Sequence, residues 1–395
     1  MLNPALQALA DYPFDRLRAL LDDVKPPAAR RPLVLSVGEP RHPPPDWITE
    51  TLARSAEGWG RYPPVDGTAD FRDAVAGWLV RRFALAGDVI DADRHILPVA
   101  GTREALFLIA QVAVPRQKHG SRPLVLMPNP FYQVYFAAAV MSGAEPMFLT
   151  ADAGSGHLPD LSALDEEVLR QTALFYLCSP ANPQGSVADL SYLKSAIQLA
   201  RAHDFVLVVD ECYSEIYGQV PPPSALSACA ELNAGLDGVL VFHSLSKRSS
   251  VPGLRSGFVA GDADLIARFR RLRSFAGASV PLPILDVSAA LWRDDEHVAA
   301  NRDLYRAKFA LAERYLGGRN GLHPPGGFFL WLDVGDGEKV ARHLWQTEAL
   351  RVLPGTYLGR PDARQRNPGA PYIRIALIDG LDLTEDALSR LANAL

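Results

Sequence analysis

Between positions 96 and 260 the chain repeats one pattern, a short apolar run followed by a polar turn and, in most repeats, a helix-like segment. The strand-like runs fall at 96–99, 124–127, 147–149, 173–178, 205–209, 239–242 and 257–260. Helical spacing fills 102–114, 131–141 and 189–203. Runs this apolar leave no solvated face, so their sheet must be covered on both sides. Strands separated by helices predict an α/β fold, with a mainly parallel seven-stranded sheet between helices. In such sheets ligands bind at the carboxyl ends of the strands. The informative polar residues are therefore those that follow the runs.

The flanks read differently. Residues 4–23 are helix-like with a break at Tyr12-Pro13, and 25–32 form a proline-rich linker. A short strand over 33–37 ends at Gly38-Glu39-Pro40, and prolines make 40–45 an extended loop. Helices are expected from about 46 and over 68–83, where Phe71, Val75, Trp78 and Leu79 share a face. From about 290 a long charged helix (295–316), strands near 326–333 and 372–377 and a C-terminal helix suggest a smaller α+β domain. The expected division is 1–45 as N-terminal arm and part of the small domain, 46–289 as the large domain and 290–395 as the rest of the small one.

Composition sets outer bounds. The 395 residues are 48% hydrophobic and 22% charged, enough for a large core. A net charge of −5 argues against nucleic acid as partner. Cys178, Cys212 and Cys229 are too few and scattered for a disulfide framework or a zinc site, so no metal is expected. The N-terminus lacks a basic start and a continuous apolar core, and no run reaches the roughly 18 residues of a membrane span. The expectation is a soluble cytoplasmic protein.

The run at 239–242 ends in Ser244-Leu245-Ser246-Lys247, with Arg255 eight positions on. A lysine just past a buried strand is partly desolvated, which lowers its pKa and leaves a nucleophilic amine. Ser244, Ser246 and Arg255 supply donors suited to phosphate oxygens. An aldehyde bearing a phosphate suits such a turn, which describes pyridoxal 5'-phosphate (PLP). The stretch resembles the lysine motif of the fold type I, class I/II PLP-dependent aminotransferases, S-x-S-K followed by an arginine. The resemblance implies that Lys247 carries the cofactor as a Schiff base and that Ser244 and Arg255 bind its phosphate.

Other stretches resemble further family elements, in family order, across roughly 33–380. Asp210 and Tyr213, after the run at 205–209, match D-x-x-Y, which implies contacts to the ring nitrogen and ring hydroxyl; a strand-end acid can also merely cap a helix. Asn182, between two prolines, matches N-P-x-G and implies a bond to the ring oxygen, although such turns are often only turns. Gly101-Thr102-Arg103 opens a helix and resembles a phosphate-binding element, with Thr102 and Arg103 as candidates and an ordinary N-cap as the alternative. Tyr132 matches an aromatic that stacks on the ring, or is a core tyrosine. Tyr62, in a proline-stiffened loop, matches a tyrosine that crosses to the partner's phosphate, or anchors packing; the resemblance implies a homodimer with shared sites. Arg374, inside a short strand, matches the clamp for the substrate α-carboxylate, with Gly38 touching the same group; the alternative is a solvent-facing edge arginine.

Within the family, the stretches at 242–258 and 12–17 look like the N-succinyldiaminopimelate aminotransferases of bacterial lysine synthesis. That likeness implies a 2-oxoglutarate/glutamate pair, and Arg41 and Arg16 become candidates for distal carboxylates, with solvated surface arginines as the alternative. Competing readings are another class I/II transamination (aspartate, alanine or aromatic), a PLP-dependent lyase, or a non-catalytic PLP-binding sensor.

Overall fold

The computed structural model describes residues 3–9, 12–319, 321–362 and 364–395. Among them are twelve strands: β1 (Leu33–Val34), β2 (Ile96–Val99), β3 (Leu124–Asn129), β4 (Glu145–Thr150), β5 (Thr172–Cys178), β6 (Val206–Asp210), β7 (Val239–Ser244), β8 (Gly257–Gly261), β9 (Phe329–Asp333), β10 (Leu350–Arg351), β11 (Leu353–Pro354) and β12 (Tyr372–Ala376). Seven form one sheet in the order β2-β8-β7-β6-β5-β3-β4. The pairs from β4 through β7 are parallel, and β8 alone runs antiparallel to its neighbours β7 and β2. The mainly parallel sheet expected from the alternating runs is therefore present.

Both faces of that sheet are buried, as the apolar runs require. Alternate residues enter opposite cores: Leu207 and Val209 join Trp78, Phe175 and Trp292, while Val208 joins Tyr135, Tyr176 and Phe269. Burying each such aromatic or aliphatic side chain contributes about 1.5–3 kcal/mol before conformational entropy is subtracted. Helix starts are capped locally. The Thr68 side chain accepts from Phe71 N (3.2 Å) ahead of the helix Ala69–Phe83, and Asp189 accepts from Tyr192 N (2.7 Å) ahead of Leu190–Ala202.

A second layer holds the three-stranded antiparallel sheet β11-β12-β9 and the parallel pair β1-β10. Leu33 and Leu35 share a core there with Leu332, Ile375 and Leu391, so N-terminal and C-terminal segments pack together. The helix Glu296–Leu316 leads into this layer. Position 290 lies inside the helix Leu282–Arg293, whose Trp292 packs 4.7 Å from Trp78, centroid to centroid, in the large core.

Segment lengths differ from expectation in instructive places. The strand expected over 33–37 ends at Val34; Leu35 N still donates to Arg351 O (2.9 Å), and Ser36 O accepts from Arg374 Nη2 (2.6 Å). The segment 102–114 divides into helices Thr102–Leu108 and Ala110–Ala113. The N-terminal segment is a 3-10 turn, Pro4–Leu9, and a helix, Pro13–Leu21; its positions 10 and 11 lie outside the described residues.

Candidate active site

β7 delivers the first group. Its residues are buried on both faces, and Ser244 at its end caps the short helix Leu245–Arg248, its Oγ accepting from Ser246 N (3.1 Å). The turn thus points two successive basic residues apart. Arg248 goes into the protein, where its guanidinium lies against Trp78 and Trp292 and donates to Leu291 O (2.6 Å). Lys247 stays half-buried, and its Nζ donates to Gly38 O (2.5 Å). Burial is the main cause that lowers the Lys247 ammonium to about 8, with the nearby Arg374 and Arg103 charges acting in the same direction.

β6, the neighbour of β7, delivers Asp210. Its carboxylate accepts from Tyr135 Oη (2.8 Å) and from Cys212 N (3.2 Å). Burial pushes its pKa up, the side-chain bonds from Cys212 and Tyr135 oppose this, and no lysine or arginine pairs with it among the described residues. Tyr213 is buried edge-on against Phe328 and Phe329, with centroids 5.4 and 5.8 Å away. Burial raises its phenol pKa, and Arg374 pulls the other way.

A third face is built from backbone and small side chains. Gly101 takes φ +83°, and a Cβ there would lie 2.0 Å from Arg255 Nη2. The glycine therefore lets the guanidinium lie against the start of the helix Thr102–Leu108, where it donates to Ala100 O (3.2 Å). Arg255 itself sits at φ +55°. Ser244 Oγ donates to Ser246 Oγ (2.9 Å), and Thr102 Oγ1 lies 3.2 Å from Cys212 Sγ. Arg103 Nε donates to Tyr132 Oη (3.0 Å), which ties both to the same rim.

The fourth element is β12. Arg374 is buried, yet no carboxylate reaches ion-pairing distance among the described residues. Nη1 donates to Asn182 Oδ1 (3.0 Å), Nη2 donates to Ser36 O, and the Phe329 ring lies 4.4 Å from the guanidinium carbon. Nε is buried without a partner, and burial lowers the group to about 10. A buried cation held only by neutral acceptors is costly and calls for an anion. The expected edge alternative fails here: β12 is the central strand of its sheet. Gly38 has no room for a side chain, since a Cβ would lie 2.6 Å from Phe329 Cζ.

Comparison with known proteins decides the family. The model for "Aminotransferase class I and II" matches residues 30–390. This chain belongs to the class I and II aminotransferases. The 4-dedimethylamino-4-oxo-anhydrotetracycline transaminase of Streptomyces rimosus is 32% identical over 377 residues, covering 94% of this chain and 96% of that protein. The LL-diaminopimelate aminotransferase of Moorella thermoacetica is 30% identical, covering 91% and 90%. An aminotransferase structure from Neisseria meningitidis superposes with a TM-score of 0.94 at 40% identity, covering 99% of both chains. A probable N-succinyldiaminopimelate aminotransferase from Thermus thermophilus superposes with a TM-score of 0.82 at 25% identity, covering 99% of this chain and 100% of that one.

The family depends on PLP. The donor set of this aminotransferase suits that group. A buried carboxylate without a cationic partner suits a protonated ring nitrogen, and a glycine cradle beside Arg255 and two serines suits a phosphate. No helix among the described residues is long and apolar enough to cross a membrane, and no cluster of potential metal ligands occurs among them.

The structure brings Lys247, Gly38, Asn182, Arg374, Asp210, Tyr213, Thr102, Arg103, Tyr132, Ser244, Ser246 and Arg255 to one end of the sheet. Tyr62 is apart, 99% exposed on this chain. Arg41 donates to Asp379 Oδ1 (2.6 Å), and Arg16 lies over the Tyr357 ring (4.0 Å) and near Glu338 (3.6 Å). Both arginines thus already have partners in the aminotransferase. The sequence reading assigned no role to Tyr135, three positions after Tyr132, or to the Phe328-Phe329 wall; the clue to Tyr135 was its place at the end of the same aromatic stretch, 128–135.

Proposed function

We propose that this aminotransferase transfers the amino group of N-succinyl-LL-2,6-diaminopimelate to 2-oxoglutarate, in the diaminopimelate route to lysine. The observation that carries amino-acid transamination is Arg374, a buried guanidinium with an unpartnered Nε and only neutral acceptors. The substrate class is supported by the motif likeness at 242–258 and 12–17, and by the names of the Thermus and Moorella relatives.

In this reading Lys247 would carry the cofactor, Ser244, Ser246, Arg255, Thr102 and Arg103 would hold its phosphate, Asp210 would serve the ring nitrogen, Asn182 and Tyr213 the ring oxygen, and Tyr132 the ring face. When bound, PLP supplies an electron sink that acidifies the substrate Cα–H bond. Arg374, Gly38 and Asn182 fix the α-carboxylate and so aim that bond at Lys247. Lys247 Nζ takes the α-proton and returns it as general acid, which suits an amine lowered to about 8. Asp210 stays ionised when a ring cation meets it. Tyr62, fully exposed on one chain, reaches the phosphate of the partner in a homodimer. We draw the two-domain division, expected at 289/290, after the helix Leu282–Arg293, a placement supported by the packing of Trp292 in the large core.

A second reading, with LL-diaminopimelate itself as donor, is favoured by the name of the Moorella relative. A substrate panel separates them. Glutamate formation from 2-oxoglutarate should be fastest with the succinylated donor; a preference for free diaminopimelate, aspartate or an aromatic amino acid overturns the proposal.

A further inference from the structure

Lys308, on the helix Glu296–Leu316, is 0% exposed and has no carboxylate at ion-pairing distance among the described residues. Its Nζ lies 2.6 Å from His42 Nε2 and 3.0 Å from Leu377 O. The other ring nitrogen, His42 Nδ1, lies 2.7 Å from Asn301 Oδ1. Asn301 Nδ2 donates to the backbone carbonyls of Lys247 (3.3 Å) and Arg248 (3.2 Å), and Ser250 Oγ donates to Asn301 Oδ1 (3.2 Å). Two carbonyls on one side fix which end of the amide is nitrogen. Oδ1 can then only accept, so His42 Nδ1 carries the proton, Nε2 is a bare acceptor and Lys308 is the donor.

The chain of bonds touches three parts of the site. His42 lies four residues beyond Gly38, Leu377 three beyond Arg374, and Asn301 holds the carbonyl of Lys247 itself. None of the three polar residues belongs to the cofactor or substrate machinery assigned above. We propose that Lys308 and His42 form a positioning pair, a buried brace on one helix that keeps the Gly38 loop and the Arg374 strand aligned with Lys247. The proposal rests on the reading that Gly38 and Arg374 hold the substrate α-carboxylate.

The brace is strongest while it is charged. Burial lowers the Lys308 ammonium to about 7, opposed by Asp379, and burial is also the first cause that keeps His42 neutral, with Lys308 adding to it. The groups facing the pair are Asp379 with its partner Arg41, the Tyr305 ring 4.9 Å from Nζ on the same helix, and the Asn301 amide. Loss of the proton above about pH 7 leaves Lys308 a neutral donor and removes its attraction to Asp379. For stability the sign is opposite. The folded-state pKa lies below the unfolded value, so the cost of burying the ammonium is full below about pH 7 and is relieved as pH rises toward the unfolded value.

The test is Lys308→Met in the cofactor-loaded enzyme, with any amino acid that the wild type turns over. KM for the donor should rise about tenfold at pH 6.5, the size of one charged hydrogen bond, with kcat within about threefold. The ratio of variant to wild-type KM should shrink above pH 8. Thermal melting of the full chain without added cofactor should lose part of its rise between pH 7 and 9. Should Lys308→Met fail to fold, His42→Gln, which keeps a donor and an acceptor, should give a smaller KM rise of the same kind. A KM unchanged within about twofold at every pH, or an unaltered melting slope, overturns the brace. A wild type that prefers another donor would overturn the substrate proposal and leave this comparison standing.

Discussion

Two buried cations flank the same turn and teach opposite things. Arg248 and Arg374 are both pushed down to about 10 by burial. Arg248 has an ionic partner besides neutral ones: Asp295 Oδ1 at 2.9 Å, Leu291 O, Asp294 O and two tryptophan faces, while its Nε, like that of Arg374, is buried without a partner. Beside it Glu215 is closed in the same manner by Arg302 (2.9 Å), Arg82 (3.3 Å) and Trp78 Nε1 (3.2 Å). Arg374 has only neutral acceptors and an aromatic wall, with no carboxylate at ion-pairing distance among the described residues. Equal depression of pKa therefore does not mark a site. A missing counter-charge beside Lys247 and Asn182 at the strand ends does, because a buried cation without a carboxylate partner there suits an anion from outside.

Substitutions on the two sides of this divide should separate activity from stability. The largest effect is expected at Lys247→Ala, which should cut turnover by about 10³-fold or more while the melting temperature stays near wild type. Melting and steady-state kinetics on one preparation check both halves. Next, Arg374→Leu should cost about 3–4 kcal/mol in kcat/KM for amino acids. The same variant should lose almost nothing toward an amine that has no carboxylate, and equal losses on both would erase the distinction between the two arginines.

Asp210→Asn keeps the acceptor for Tyr135 but removes the charge, so kcat should fall about 10²-fold with the fold intact. On the structural side, Arg248→Met should destabilise the chain by about 3 kcal/mol and change kcat/KM by less than about threefold, read by denaturant titration and kinetics. The smallest effect is one of pH. Uptake of PLP by cofactor-free protein should accelerate as pH rises toward about 8 and level off above it, since the neutral Lys247 amine is the reacting form. Stopped-flow absorbance measures it, and a flat profile from pH 6 to 9 would contradict the assignment.

Much of the large sheet was legible because its signal is local. Each buried strand is a short apolar run, and the candidate site residues sit at its end or just beyond, Asp210 at the end of β6, Ser244 at the end of β7 and Lys247 three residues later. Arg374 was legible for the same reason, as a charge inside an apolar strand. The brace was not legible. His42, Asn301 and Lys308 lie in segments that meet only when the long helix packs against the loop after β1, and each alone reads as an ordinary polar residue. Arg41 and Arg16 show the reverse of that locality. Their acids, Asp379 and Glu338, lie hundreds of positions away, so the sequence offers the arginines as free when the fold has already engaged them. Tyr135 reaches Asp210 because β3, which precedes it, is separated from β6 only by β5 in the sheet order.

Burial lowers the ammonium groups of Lys247 to about 8 and of Lys308 to about 7, and of these two only the first lies at the strand ends. Borohydride reduction of the PLP-loaded enzyme, followed by peptide mass spectrometry, distinguishes them. One phosphopyridoxyl group per chain, on Lys247, is the predicted result. Label on Lys308 or another lysine, or no covalent label at all, would contradict it.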